Sequence, residues 1–164
     1  MSLDGDIALL KRVPLFAELP TEQLRLIAFS AVRLDLVAGQ VLFRQGAKAT
    51  CGYVVSSGKL EMAIDEGGGK KEVAATVEAG SLIGEIALFI ETKRPATATA
   101  SIASQVIEID RKLITRMLNE YPHIAVRMRS TLSDRLRATV FDLAKVRQAL
   151  ARIDRTAPPP RRTS

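Results

Sequence analysis

Three textures follow one another along the chain. Near the N-terminus apolar residues fall at helical spacing. Thr21 stands as an N-cap before EQLRLIAF, where Leu24, Ile27 and Ala28 recur on one face, and Pro14 and Pro20 interrupt the segment. From about Ala31 to Asp110 the pattern shortens to the stretches AVRLDLV, VLFR, YVVSS, KLEMAID, EVAATVE, SLIGE, TATASI and QVIEID. Glycines at 39, 46, 52, 58, 67–69 and 80 punctuate them as turns, and KLEMAID alternates Leu60, Met62 and Ile64 with polar neighbours. Many short strands with regular glycine turns predict a sandwich or a roll. After Asp110, RKLITRMLNEY is helical and Pro122 resets the phase. From His123 to about Asp154 there is neither glycine nor proline, which predicts one long helix.

That helix carries a narrow seam: Leu132, Leu136, Leu143, Val146, Leu150 and Ile153, with Thr139 in the single gap. The alternating four- and three-residue steps make an a/d pattern over about three heptads. The first half of the helix can cover the strands, and the second half then meets another copy of itself, so a parallel homodimer is expected. The last residues, RTAPPPRRTS, read as a disordered basic tail.

Composition bounds the function. A chain of 164 residues fits one domain, and 47% hydrophobic with 26% charged residues is ordinary for a soluble globule. No apolar run is long enough to span a bilayer and no signal peptide opens the chain, so no membrane association and a cytoplasmic location are expected. The single Cys51 excludes an internal disulfide and reads as a small buried hydrophobe. With one histidine, His123, which reads as a capping or solvated group, metal centres that need several are excluded and no cofactor is expected. No nucleophile–base pair stands out, and the chain is not expected to be an enzyme. The net charge of +6 is concentrated at the end: residues 127–164 hold ten Lys/Arg against three Asp/Glu. A basic end invites a nucleic-acid reading. A helix-turn-helix needs several dozen more residues than follow Ile153, so sequence-specific DNA binding is not expected. The closing RRTS matches a basic-directed kinase site, a match that any basic tail gives cheaply.

The chemistry concentrates in GEIALFIETKRPATATA, Gly84 to Ala100. Glu85 and Arg94 are charges in an otherwise apolar run, costly unless partnered. A glycine turn followed by one helical turn at Glu85–Phe89 presents unpaired N–H groups, an anion site. Arg94 supplies a fork of donors suited to phosphate, and Glu85 an acceptor for hydroxyls. Together they suit a nucleotide.

GEIAL, a short loop and RPATATA resemble the phosphate-binding cassette of the cyclic nucleotide-binding domain family. PLFAEL resembles that family's helical entry, and AGQVLFRQG, YVVSSGKLEM and VEAGSLIGE its glycine pattern. The resemblance implies an α+β, mainly β fold: a double-stranded β-helix or jelly-roll β-roll with N-terminal helices and a long C-terminal helix. The domain would span 1–154, with the roll at about 31–110 and the helix at about 123–154, followed by a tail at 155–164. It implies that Gly84 lets the ribose approach, that Glu85 accepts from the 2′-hydroxyl, and that Ala87, next to Ile86, offers its N–H to the cyclic phosphate. Arg94 would pair with the exocyclic phosphate oxygens, and Thr139 would meet the base from the lid helix. The residue after the arginine usually donates its own N–H; here it is Pro95, which has none, so either affinity is weakened or the loop shifts and Ala96 donates instead. The missing hydroxyl at that position favours cAMP, with cGMP as the alternative ligand. The expected function is thus a sensor that dimerises through its C-terminal helix and signals by helix movement to an unknown protein partner. The competing reading is a nucleotide-independent dimeric scaffold with a vestigial cassette.

Overall fold

The structure, a computed structural model, describes residues 3–68 and 71–138. Two helices open it, α1 (Leu3–Lys11) and α2 (Thr21–Ser30). Ten strands follow: β1 (Val32–Leu36), β2 (Val41–Phe43), β3 (Lys48–Ala49), β4 (Cys51–Ser57), β5 (Lys59–Asp65), β6 (Lys71–Glu78), β7 (Leu82–Ile83), β8 (Thr92–Lys93), β9 (Thr97–Ala100) and β10 (Ser104–Asp110). A 3-10 turn, Glu85–Leu88, sits between β7 and β8, and α3 (Arg111–Glu120) and α4 (Pro122–Ala138) close the described chain. All strand pairs are antiparallel. One four-stranded sheet runs β1-β10-β4-β7, a second runs β2-β9-β5-β6, and β3 pairs with β8. The result is the jelly-roll expected, with helices at both ends of the chain.

Side-chain alternation divides the apolar residues into two cores. On β4, Cys51, Tyr53 and Val55 point into the roll, where they meet Leu60, Met62, Ala98, Ala100 and Val106. Val54, on the opposite face of β4, joins Ile107, Ile109, α1, α2, Ile114 and Met117 of α3, and Ile124 and Met128 of α4. Every helix therefore rests on one face of one sheet, and the interior of the roll is left to the strands. Asp110 caps α3 by accepting from the Lys112 N–H at 3.0 Å, and Pro122 supplies the preset first residue of α4.

Three local readings change. Thr21 is the first helical residue of α2 and not its cap. Pro20 takes that place with extended backbone, and its carbonyl accepts from Gln23 and Leu24. Gly52 is not a turn but lies inside β4. A Cβ there would stand 3.1 Å from Leu88 Cγ, so the missing side chain lets the 3-10 turn pack onto the strand. Thr92 and Lys93, in the stretch read as a short loop between GEIAL and RPATATA, pair with Lys48 and Ala49, and Lys48 adds an exposed ion pair with Glu91. The helix is described to Ala138. The rest of its expected span to Asp154, the seam beyond it and the tail at 155–164 lie outside the described residues.

Candidate functional site

Gly84 holds the hinge of the site. It takes a left-handed conformation (φ 78°, ψ 37°), which only glycine adopts without strain, and it turns β7 into the 3-10 turn. A side chain would also have no room, since a Cβ on Gly84 would lie 2.4 Å from Arg94 Nη1 and 3.4 Å from the Cys51 carbonyl oxygen. The turn is closed by the Ala87 N–H donating to the Gly84 carbonyl at 3.1 Å, and by Phe89 and Ile90 donating to Ile86. Ala87 and Leu88 are buried, whereas Gly84, Glu85 and Ile86 are half-buried at the mouth. Leu88 belongs to the helical core and so ties the turn to the helices.

Arg94 is reached from the other side. Its N–H donates to Ala47 and its carbonyl accepts from Gly46, both at 2.8 Å, so the backbone beneath the guanidinium is held at two points. The side chain is 4% exposed. Nη2 donates to the Cys51 carbonyl at 2.8 Å and lies 3.4 Å from Cys51 Sγ. The guanidinium carbon stands 4.3 Å from the centre of the Phe43 ring and 5.3 Å from that of Tyr53, and these rings stack on each other at 5.8 Å. A hydrogen bond to a charged group contributes about 1.5–3 kcal/mol, and a desolvated cation–π contact about 2 kcal/mol. These offset part of the cost of burying the charge. Nη1, however, is buried with no hydrogen-bond partner. A buried donor on a charged group left unpaired costs more than the 1–3 kcal/mol of a neutral one. The guanidinium is therefore left with Nη1 open, and that nitrogen stands over Gly84.

The surroundings favour an anion with an apolar flank. Pro95 is half-buried, and Ala96, Ala98 and Ala100 are fully buried small residues leading into the roll. Phe43, Leu34, Leu42 and Ile64 are only partly covered. The Tyr53 phenol is pushed upward by burial first, then by its side-chain hydrogen bond and charge interaction with Cys51 and by Glu108, against a smaller lowering from Arg94. It stays neutral at physiological pH. Among the described residues no group of three or more His, Cys, Asp or Glu could hold a metal ion, and no helix is long and apolar enough to cross a membrane.

Of the residues singled out from the sequence, the structure brings Gly84 and Arg94 into contact and sets Glu85, Ile86, Ala87, Pro95 and Ala96 around them. Thr139 lies outside the described residues. Phe43, Cys51 and Tyr53 were missed as guanidinium partners. A signal existed for two of them: Cys51 and Tyr53 share the inward face of one strand. Cys51 is buried, as expected, but its sulfur is also hydrogen-bonded.

Comparison with known proteins agrees with this geometry. The profile of the cyclic nucleotide-binding domain matches residues 33–121. A lysophospholipase NTE1 from Chaetomium globosum is 30% identical over 116 residues, which are 71% of this chain and 8% of that protein. The chain thus spans less than a tenth of that relative's length. A cyclic nucleotide-binding-like protein from Brucella abortus is 40% identical with a TM-score of 0.64, covering 71% of this chain and 99% of the other. The regulatory domain of Toxoplasma gondii PKA, solved with cAMP, is 26% identical with a TM-score of 0.65, covering 70% of this chain and 43% of the other.

Proposed function

Because this chain belongs to the cyclic nucleotide-binding domain family, we propose that it is a regulatory sensor whose ligand is cAMP, with cGMP bound more weakly. The observation that carries the reading is Arg94 Nη1, buried without an acceptor over Gly84. A cyclic phosphate supplies the missing acceptor and a second oxygen for the guanidinium fork. Glu85, half-buried at the same mouth, accepts from the ribose 2′-hydroxyl, and Gly84 permits the approach. The Ala87 N–H is already bonded to the Gly84 carbonyl at 3.1 Å, so a phosphate has to share it. Pro95 offers no N–H. Anion binding therefore leans on Arg94, with Ile86 and Ala96 as auxiliary backbone donors. The role of Thr139 toward the base, implied by the family resemblance, lies outside the described residues. The cAMP held by the Toxoplasma relative supports this choice of ligand.

Signalling follows from where α4 is rooted. Ile124 and Met128 share a core with Leu88 of the 3-10 turn. A ligand that draws the turn toward its phosphate biases the helix if it binds one helix position better than the other. In this reading the helix forms a homodimer and passes the change to a protein partner. Pro95 favours the competing reading, a dimeric scaffold that needs no nucleotide. Thermal unfolding separates them. At a hundredfold excess over Kd a ligand stabilises by about 2.7 kcal/mol, or about 5–10 °C at this size. cAMP should raise the melting temperature of the wild type and leave Arg94→Ala unmoved; equal curves with and without nucleotide support the scaffold.

A further inference from the structure

Outside the cassette, positive charge gathers at one corner of the roll. β3 and β8 form a ribbon two residues long, and its register sets Lys48 directly opposite Lys93. Side chains opposite each other in such a pair share a face, and like charges there destabilise it. Both lysines are exposed. Glu91 answers one of them, its carboxylate lying 2.7 Å from Lys48 Nζ. Lys93 makes no ion pair among the described residues. Arg111 borders the same ribbon. It is the first residue of α3, and its N–H donates to the carbonyl of Thr50, just after β3, at 3.1 Å. Its Nη1 is buried with no hydrogen-bond partner, although the residue as a whole is only half-buried. These charges act on one another: Glu91 is held below its ordinary value first by its hydrogen bond to Lys48, and also by the charge of Arg111. Three cations thus share one carboxylate. The fold gains nothing from this, since a neutral residue opposite Lys48 would spare the ribbon the repulsion.

Glu91 also indicates what the corner accepts. A carboxylate already sits on Lys48. It would repel a run of phosphates, whereas peptide carboxylates extend the pattern it sets. We propose that Lys48, Lys93 and Arg111 form a docking surface for an acidic segment of a protein partner. One carboxylate of the segment takes Lys93, and another takes the Arg111 guanidinium, whose planar fork suits it. The surface lies against the cassette, because Lys93 precedes Arg94 and Ala47, beside Lys48, accepts the Arg94 N–H at 2.8 Å. It goes beyond the nucleotide reading and stands whether or not a nucleotide binds.

The test measures binding of a fluorescein-labelled decaglutamate peptide to the full chain by anisotropy at low salt, without nucleotide. Two variants each lose three positive charges: Lys48→Gln/Lys93→Gln/Arg111→Gln at the corner, and Arg155→Gln/Arg161→Gln/Arg162→Gln in the C-terminal stretch. General attraction to a basic chain falls equally in both. The corner variant is expected to bind on the order of tenfold more weakly than the C-terminal one, from the loss of three exposed pairs. Glu91→Gln frees Lys48 and should bind about two- to fivefold more tightly than Glu22→Gln, which changes the net charge equally from α2. If Arg111→Gln unfolds the chain, Lys48→Gln/Lys93→Gln is compared with Arg161→Gln/Arg162→Gln, and the same order is expected. Equal weakening in the corner and C-terminal variants overturns the proposal. A labelled oligothymidylate of equal charge that binds more tightly than the peptide, and loses that binding in the corner variant, overturns it in favour of a nucleic acid.

Discussion

Gly84→Ala separates the two demands that the cassette makes on one residue. The first is backbone strain: a φ of 78° costs an alanine about 1–2 kcal/mol. The second is contact with Arg94, whose Nη1 would lie 2.4 Å from the new Cβ. The guanidinium is the movable partner and must swing away. It then gives up its bond to the Cys51 carbonyl, about 1.5–3 kcal/mol, and its seat over Phe43, about 1–2 kcal/mol. Part of this is regained if the charge reaches water, so the expected total is about 2–5 kcal/mol. Gly39→Ala is the control. Its φ of 85° carries the same strain, but nothing lies within 4 Å of its Cβ, so about 1–2 kcal/mol is expected. Urea unfolding of both variants gives the difference directly, and a cAMP titration of each shows whether the displaced arginine still meets the ligand. Equal destabilisation of the two variants, with cAMP affinity retained in Gly84→Ala, would refute the claim that Gly84 exists to seat Arg94.

Other perturbations test separate parts of the structure. Ala98→Val adds volume at a fully buried position in the roll, so a destabilisation of about 1–3 kcal/mol in denaturant melts and weaker nucleotide binding are expected. Arg33→Met removes the partner of Asp6, an almost wholly buried carboxylate of α1, and should destabilise by about 3 kcal/mol in the same assay. Tyr53 has a raised folded value, so its stabilising contribution is present below the ordinary value of 10.0 and is lost as pH rises further. Absorbance titration should show one of the two tyrosines ionising only as the chain unfolds. Glu91 is held below its ordinary value of 4.5 by its hydrogen bond to Lys48. That contribution is present above 4.5 and lost as pH falls through the folded value. A carboxyl NMR titration should give a midpoint that climbs toward 4.5 with added salt, because the pair is exposed.

The longer strands were legible because each carries its own local evidence, which the two-residue β3 and β8 are too short to do. KLEMAID alternates, and Leu60 and Met62 are buried as that alternation requires. The glycines at 39, 46, 58, 67, 68 and 80 all take positive φ. Gly52 misled because a glycine that makes room for a neighbour looks the same in sequence as one that makes a turn, and the neighbour, Leu88, comes from a distant segment. Thr21 misled because the proline before it was already extended and could end the chain's approach to α2 without a side-chain cap. In the cassette the charged residues were visible as charges out of place. Their partners were not, since Phe43, Cys51 and Tyr53 come from two strands that only the roll brings to Arg94. Burial of a guanidinium among aromatic rings has no local signature.

The central claim is that Arg94 keeps one donor open for a cyclic phosphate. Isothermal titration of the wild-type chain and of Arg94→Ala with cAMP, and separately with cGMP, tests it most directly. Saturable binding near one ligand per chain in the wild type, tighter for cAMP, and loss of at least about 1.5–3 kcal/mol of binding in the variant are expected. Binding of equal strength in both chains, or no heat with either nucleotide at millimolar concentration, would contradict it.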